Sequence, residues 1–171
     1  MADEPLGLKE YALVLYAREG VSSACLLLQD ATGLDVNLLL FAAWRGAVLR
    51  QAIGRDDIAV AHARVADWHG EVVRPLRAVR RRLKTGPAPA PSDRTAKLRE
   101  KLQALEIAAE IIELEELGAL LCPGDAQPGP AEALARAGIL AVAEAAAGRP
   151  LTPQEKDAAA WIARAAGTET P

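Results

Sequence analysis

Residues 25–45, CLLLQDATGLDVNLLLFAAWR, include the densest apolar segment of the chain and decide its fold. The successive apolar residues at positions 38–44 cover every side of a helix, because each residue turns a helix by about 100°. A helix without a polar side has to be enclosed by other helices. Burying its three leucines, Phe41 and Trp44 supplies roughly 10 kcal/mol of gross driving force, at about 2 kcal/mol for each side chain. We therefore expect this central helix to form the middle of the core.

Short-range signals define the turn before the central helix. Gly33 follows the preceding helix, at a position where glycine adopts a left-handed backbone at least cost. Leu34 can contact both flanking helices, and the carboxylate of Asp35 is placed to cap the central helix. Asp30 opposes the dipole of the preceding helix and needs a cationic partner, for which Arg45 is the candidate. The whole structural motif consists of Asp30, Gly33, Leu34, Asp35, Asn37, Trp44 and Arg45.

Composition favours an all-α protein. Alanine occupies 37 of the 171 positions and aromatic residues make up only 4%, which favours helices over strands. The net charge of -3 gives no global reason to expect nucleic acid. The N-terminal segment lacks the basic residues of a secretion signal, no apolar run has the ~20 residues of a membrane span, and Cys25 and Cys122 lack metal-binding spacing. These features predict a cytoplasmic protein with unpaired thiols.

Two long helices after the central helix predict an antiparallel hairpin. The first begins at Asp56 or Asp57, and the second begins at Ser92 or Asp93 after the non-helical segment GPAPAP at 86–91. Pro75 lies inside the first helix, where it removes one hydrogen bond and is expected to cause a kink. The predicted buried stripe of the first helix is Ile58, Ala61, Val65, Trp68, Val72, Leu76, Val79 and Leu83. That of the second helix is Leu98, Leu102, Leu105, Ala109 and Ile112, and it is widened by a second row, Ile107, Ile111, Leu114 and Leu121.

Proline and glycine divide the chain into three predicted parts. Residues 6–121 contain the helical core and the hairpin, and residues 122–130, CPGDAQPGP, form a linker. Residues 131–167 form a pair of alanine-rich helices, of which the second opens with a capping box at Thr152, Pro153 and Glu155. The predicted architecture is a compact helical bundle around a buried central helix. Whether the alanine-rich pair docks on that bundle is left open by the sequence.

The run from Tyr11 to Trp44, with YAREGV, ACLLLQD and GLDVNLLLFAAW, resembles a proteobacterial family of conserved hypothetical proteins known only as a domain of unknown function. The segment VVRPLRAVRRRLK at 72–84 continues the resemblance, which covers about residues 8–120. The family pattern has a tryptophan near position 8 and a proline at position 19, where this chain has Leu8 and Glu19. The resemblance implies a compact helical fold and brings no activity, catalytic residue or ligand.

No motif for catalysis stands out in the sequence. It contains no nucleophile motif, no glycine-rich phosphate loop and no paired metal-ligand motif. Asp30, Asp35 and Asn37 surround one turn and offer oxygen ligands for Mg²⁺, although capping already explains Asp35. His62 and His69 lie seven residues apart without zinc-like spacing, which favours a role at the surface or at the edge of the core. No cofactor, resident metal or catalytic residue is predicted.

Basic residues are concentrated at the predicted tip of the hairpin. Positions 74–101 contain ten of the 20 lysines and arginines of the chain, against two acids. The glutamates of the second arm, at 106, 110, 113, 115 and 116, lie further from the tip. The predicted partner-binding residues are Arg74, Arg77, Arg80, Arg81, Arg82, Lys84, Arg94 and Lys97.

Three functional hypotheses follow. The leading one is a non-enzymatic interaction or regulatory protein whose basic hairpin tip binds an acidic protein surface. The first alternative is a nucleic-acid-binding accessory protein, although no aromatic residue is interleaved among the arginines. The second alternative is an enzyme or small-molecule binder that uses Asp30, Asp35 and Asn37 together with Mg²⁺.

Overall fold

The computed structural model describes residues 5–120 and 124–168, and all regular elements within these ranges are helical, which confirms the all-α prediction. The elements are α1 (Leu8–Tyr16), α2 (Val21–Thr32), α3 (Val36–Ala47), α4 (Arg55–Trp68), a π-helical turn (His69–Val73), α5 (Arg74–Arg82), α6 (Asp93–Gly118), α7 (Ala131–Ala147) and α8 (Pro153–Gly167). Leu121 and the first residues of the predicted linker, Cys122 and Pro123, lie outside the described residues. Among the helices of the described ranges, none is by itself long and apolar enough to span a membrane, and α1 and α2 pass that test only as a pair bent by 99°.

The central helix predicted from the sequence is α3, and the core is built around it. Its residues 37–46 are all buried, and its neighbours are α1, α2, α4, α6, α7 and α8. Even its polar groups are used: the Trp44 indole Nε1 donates a hydrogen bond of 2.8 Å to the Leu6 carbonyl. Cys25 is a buried, unpaired thiol beside this helix, and burial raises its pKa to about 12, as expected for an unreactive core residue.

The alanine-rich helices α7 and α8 belong to the same core. α7 lies along α3, and α8 packs on α7 and α2. A Cβ atom at Gly46 would lie 2.4 Å from the backbone nitrogen of Ala135, and one at Gly138 would lie 3.1 Å from the carbonyl oxygen of Ala42. The two backbones can come this close only because both glycines lack a side chain. Small residues therefore allow α7 to close the core over α3.

The hairpin is present, with α4 and α5 as one arm and α6 as the other. Trp68 Nε1 donates to the Ala109 carbonyl at 3.0 Å, and Arg77 Nε donates to Glu106 at 2.9 Å, so the residue numbers of the two arms run in opposite directions. Ser92 begins α6 as predicted, since its side chain accepts a hydrogen bond from a backbone N–H of the first turn. The hairpin packs along the core through the C-terminal part of α6, which contacts α1 and α3.

The disturbance expected at Pro75 takes the form of the π-helical turn. Proline has no N–H to donate, and just before it the Arg74 N–H bonds to the carbonyl of His69, five residues back. The extra residue in this turn rotates the segment that follows about the helix axis. As a result Val73 is fully buried in place of the predicted Val72, and Val79 is half exposed. The predicted stripe is correct through Val65, whereas Trp68 is 37% exposed, and beyond the π turn Leu76 and Leu83 are only partly buried.

The predicted buried face of α6 is correct at Ala109 and Leu114 and wrong at most of its other positions. Leu98, Leu105 and Ile112 are 49%, 57% and 44% exposed, whereas Glu106 and Glu113 are buried. The face that meets the rest of the protein is rotated from the predicted one, and it carries the carboxylates of Glu106 and Glu113 beside Leu114 and Leu117. This rotation determines the chemistry described below.

The approach of α3 to α7 yields a first prediction. Gly46→Ala should lower the unfolding free energy by about 3 kcal/mol, because the added methyl would meet backbone atoms of α7 that cannot move aside independently. Gly70→Ala is the matched control, since a Cβ there would have nothing within 4 Å. Urea denaturation compares the two variants with the wild type. Equal midpoints for all three proteins would contradict the close packing of α3 and α7.

Candidate metal centre

Three ligand-type side chains from separate elements converge at the N-terminal end of α3. They are Asp35, immediately before α3; His69, the first residue of the π turn; and Glu113, on α6. The Nδ1 atom of His69 lies 3.3 Å from Asp35 Oδ2 and 3.2 Å from Glu113 Oε2. All three potential ligand atoms lie within 4.8 Å of one another. Among the residues that the structure describes, no other group of His, Cys, Asp and Glu side chains converges in this way.

Local structure explains how Asp35 and His69 are oriented. One carboxylate oxygen of Asp35, Oδ1, accepts the Asn37 N–H at 2.8 Å, which is the predicted capping bond. The other oxygen, Oδ2, is thereby directed toward His69. His69 begins the π turn, a type of irregularity that occurs frequently at functional sites. The cap and the π turn therefore fix two of the three groups.

Glu113 belongs to a row of carboxylates along the inner face of α6. Glu106, Glu110 and Glu113 follow each other at spacings of four and three residues and so share one side of the helix. Arg77 binds both Glu106, at 2.9 Å, and Glu110, and Arg80 also binds Glu106. The arginines of α5 thus neutralise the part of this row nearest the hairpin tip.

The inner end of the row lacks cationic charge. In the part of the chain that the structure describes, the four carboxylates at positions 35, 106, 110 and 113 face only two guanidinium groups and the imidazole of His69. Glu113 is fully buried, and its Oε1 has no hydrogen-bond partner within the described ranges; the buried Oδ2 of Asp35 also lacks one. Buried carboxylates without partners are costly, so either protons or a bound cation must compensate them.

The pKa values show how protons compensate when no cation is present. Burial, followed by the neighbouring Glu113 carboxyl group, raises the pKa of Asp35 to about 8. Burial is also the main cause that raises the pKa of Glu113. The two carboxyl groups are close enough to titrate as one coupled pair, and at neutral pH this pair retains a proton.

A cleft with a volume of about 1350 Å³ gives access to the cluster. Asp35 and His69 line the cleft, and their side chains are 11% and 18% exposed. Glu113 lies behind them and is not exposed at all. Two of the three groups thus face solvent through the cleft, and the third forms the base of the cluster.

The structure does not bring together the oxygen ligands predicted around the turn at 30–37. Asn37 donates its side-chain N–H to the Glu110 carbonyl at 3.2 Å, which holds α3 to α6. The Asp30 side chain is 67% exposed and lies 3.9 Å from Arg81. Arg45 is not the partner of Asp30, because the Arg45 guanidinium is buried against Asp57 at 3.2 Å. Of the three predicted ligands, only Asp35 belongs to the cluster.

The basic residues predicted to bind a partner fall into three sets. Arg77 and Arg80 are held by the glutamates of α6 and serve the packing of the hairpin. Arg74 and Arg81 line the cleft. The remaining residues, Arg82, Lys84, Arg94 and Lys97, are exposed near the tip.

Sequence reasoning missed His69 and Glu113 as site residues. The available signals were the histidine six residues before Pro75, where a helical irregularity is expected, and the spacing of Glu106, Glu110 and Glu113, which places all three on one side of a helix. Acids on one side of one arm and arginines on the adjoining arm indicate that the two helix faces can pair with each other. The same pattern is also typical of two separately solvated surfaces.

The raised pKa of Asp35 yields a second prediction, for the metal-free protein in EDTA. The unfolded chain loses this proton above about pH 4, whereas the folded protein keeps it to about pH 8. The stability that this group contributes is therefore complete at low pH and is lost as the pH rises toward 8, with a limiting slope of about 1.4 kcal/mol per pH unit. Asp35→Asn, which preserves the cap, should flatten the decline of the urea midpoint from pH 5 to pH 8. Asp30→Asn is the control that removes an exposed carboxylate of the same cleft, and parallel curves for wild type and Asp35→Asn would refute the assignment.

Comparisons with known proteins give a family and no activity. No curated protein and no solved structure shows a significant match to the chain. Residues 8–117 match a family of proteins, and this stretch contains Asp35, His69 and Glu113, whereas α7 and α8 lie beyond it. The match covers more than half of the chain. The chain therefore belongs to the family described as "Protein of unknown function (DUF2390)".

Proposed function

We propose that the protein binds a divalent transition-metal ion at Asp35, His69 and Glu113, and that this metal centre serves a small-molecule-binding cleft. The observation that carries the proposal is the convergence of one imidazole nitrogen and two carboxylate oxygens, from three separate elements, in a place short of positive charge. Compared with the sequence-based hypothesis of a small-molecule binder, the proposal retains Asp35. It replaces Asp30 and Asn37 with His69 and Glu113.

The distances between the groups support a shared ion. Metal–ligand bonds of about 2.1 Å separate neighbouring ligand atoms by roughly 3.0 Å in octahedral and roughly 3.4 Å in tetrahedral geometry. The two separations measured from His69 Nδ1, 3.2 and 3.3 Å, lie between these values, and the Asp35 and Glu113 oxygens lie within 4.8 Å of each other. They are longer than the ~2.8 Å of a charge-assisted hydrogen bond, so the imidazole is not drawn tightly to either carboxylate.

The donor set selects the class of metal. Mg²⁺ prefers oxygen ligands throughout, whereas one imidazole nitrogen with two carboxylates suits Mn²⁺, Fe²⁺ or Zn²⁺. Three protein ligands leave coordination positions open, and here those positions face the cleft because Asp35 and His69 line it. A metal ion in such a position binds anionic ligands and activates water for hydrolysis.

The third prediction tests the metal centre. Mn²⁺ or Zn²⁺ at about 100 times the Kd should raise the unfolding free energy of the wild type by about 2.7 kcal/mol. His69→Ala and Glu113→Gln should each abolish this increase, as each removes one of the three ligands. His62→Ala is the matched control, because His62 lies on α4, seven residues before His69. It lines the same cleft but is outside the cluster.

Thermal denaturation and isothermal titration calorimetry measure the effect, with circular dichroism to establish that each variant is folded. Equal metal binding by wild type and His69→Ala would refute the site. Failure of the wild type to bind either ion at millimolar concentration would also refute it.

A second proposal concerns the exposed residues Arg82, Lys84, Arg94 and Lys97, which we define as the basic tip. The observation that favours it is that these side chains are exposed, whereas Arg77 and Arg80 are occupied by intramolecular ion pairs. We propose that the basic tip binds an acidic protein surface, with the affinity and its dependence on salt set by charge.

The fourth prediction tests the basic tip with an immobilised polyglutamate peptide. Arg82→Glu combined with Lys84→Glu should weaken binding about tenfold at low salt. Arg136→Glu combined with Lys156→Glu is the matched control, because it makes the same change in net charge at exposed positions elsewhere. An equal loss of affinity in both double variants would show that binding depends on net charge alone. It would refute a specific binding role of the basic tip. Tighter retention of duplex DNA than of the peptide would favour nucleic acid as the partner instead.

A further inference from the structure

The cleft beside the candidate metal centre contains arginines that are available to a ligand. Arg55 begins α4 and Arg74 begins α5, and both line the cleft without forming an ion pair to any residue of the described ranges. Arg81 also lines it and meets Asp30 only at 3.9 Å, with both side chains more than half exposed. Arg77, which lines the same cleft, is already engaged by the glutamates of α6. The arginines with unused donors therefore lie at the mouth of the cleft.

These charges favour an anion once a metal ion is present. Glu144 and Asp30 are the acidic groups that line the cleft besides Asp35, and Asp30 lies next to Arg81. A divalent ion at the metal centre would add two positive charges to a wall on which Arg55 and Arg74 are unpaired. Guanidinium groups present parallel N–H donors that match the oxygens of a phosphate group.

Apart from Gln29 and the two histidines, the remainder of the described lining is aliphatic or glycine. Leu34, Leu38, Ile58, Val65 and Val142 contribute to the wall, and alanines lie between them. No Phe, Tyr or Trp side chain is among the described residues that line the cleft, and the only rings there are the small imidazoles of His62 and His69, of which His69 is engaged by Asp35 and Glu113. At about 1350 Å³, the cleft is larger than a phosphate ion requires. Its shape and chemistry suit a ligand with an anionic head and an aliphatic body.

We propose that the cleft binds a phosphate monoester of an aliphatic group. Arg55, Arg74 and the metal ion take the phosphate, and the aliphatic wall of α3, α4 and α7 takes the hydrocarbon part. The proposal rests on the metal centre proposed above, because that ion supplies one of the anchors for the phosphate. It adds the class of ligand, which neither the sequence nor the family provides.

The fifth prediction uses the full-length protein and n-hexyl phosphate as the probe, measured by calorimetry with Mn²⁺ and again with EDTA. The Mn²⁺-loaded wild type should bind n-hexyl phosphate more tightly than inorganic phosphate, and more tightly than adenosine monophosphate, which has the same head and an aromatic base. The double variant Arg55→Ala, Arg74→Ala should lose at least tenfold in affinity for n-hexyl phosphate while its Mn²⁺ binding is unchanged. Arg82→Ala, on α5 but outside the cleft lining, is the matched control and should stay within twofold of the wild type.

The outcomes separate the two proposals. If Mn²⁺ binds in a His69-dependent manner but n-hexyl phosphate does not bind, or binds equally to the double variant, the ligand assignment is overturned and the metal centre stands. If Mn²⁺ binding does not depend on His69, while n-hexyl phosphate binds in EDTA and requires Arg55 and Arg74, the metal centre is overturned and the anionic ligand stands. Tighter binding of adenosine monophosphate than of n-hexyl phosphate would refute the assignment of an aliphatic group as the body of the ligand.

Discussion

The complete burial of α3 is the constraint on which the other features depend. Because this helix has no polar side, six neighbouring helices must contact it, including both helices of the alanine-rich C-terminal segment. Gly46 and Gly138 permit the closest of these approaches. The same packing brings α6 against the N-terminal end of α3, where Asn37 binds the Glu110 carbonyl. The candidate metal centre is thus located by the packing of the core, at the point where α3 begins.

The outer parts of the two hairpin arms meet each other through charged groups, whereas Leu114 and Leu117 join α6 to the core. Arg77 and Arg80 neutralise Glu106 and Glu110, so most of the inner face of α6 is balanced within the molecule. Glu113 has no such partner and shares only an imidazole with Asp35. Buried ion pairs contribute little net stability, and an unbalanced buried carboxylate opposes folding. Such a departure from good packing is typical of a site that is maintained for binding.

Hydrophobic periodicity predicted α3, its cap and the hairpin correctly, and it failed where the backbone departs from regular geometry or where charges replace apolar contacts. The π turn shifts the register of α5, so Val73 is buried instead of Val72. On α6, the predicted row was correct at Ala109 and wrong at Leu98, Leu105 and Ile112, because the inward glutamates obtain arginine partners from α5 that a single-helix pattern does not reveal. An ion pair between two helices cannot be recognised from the periodicity of either one.

The sequence by itself determined the helical class, the enclosed central helix, the turn at Gly33 and the capping role of Asp35, because each depends on residues close together in the chain. Only the tertiary structure decided that Asp35, His69 and Glu113 meet, since these residues are separated by 34 and 44 positions and come from three elements. Their meeting depends on the rotation of the π turn and of α6 about their axes. A rotation of one residue moves a side chain by about 100° around a helix, which is enough to turn a site residue toward solvent.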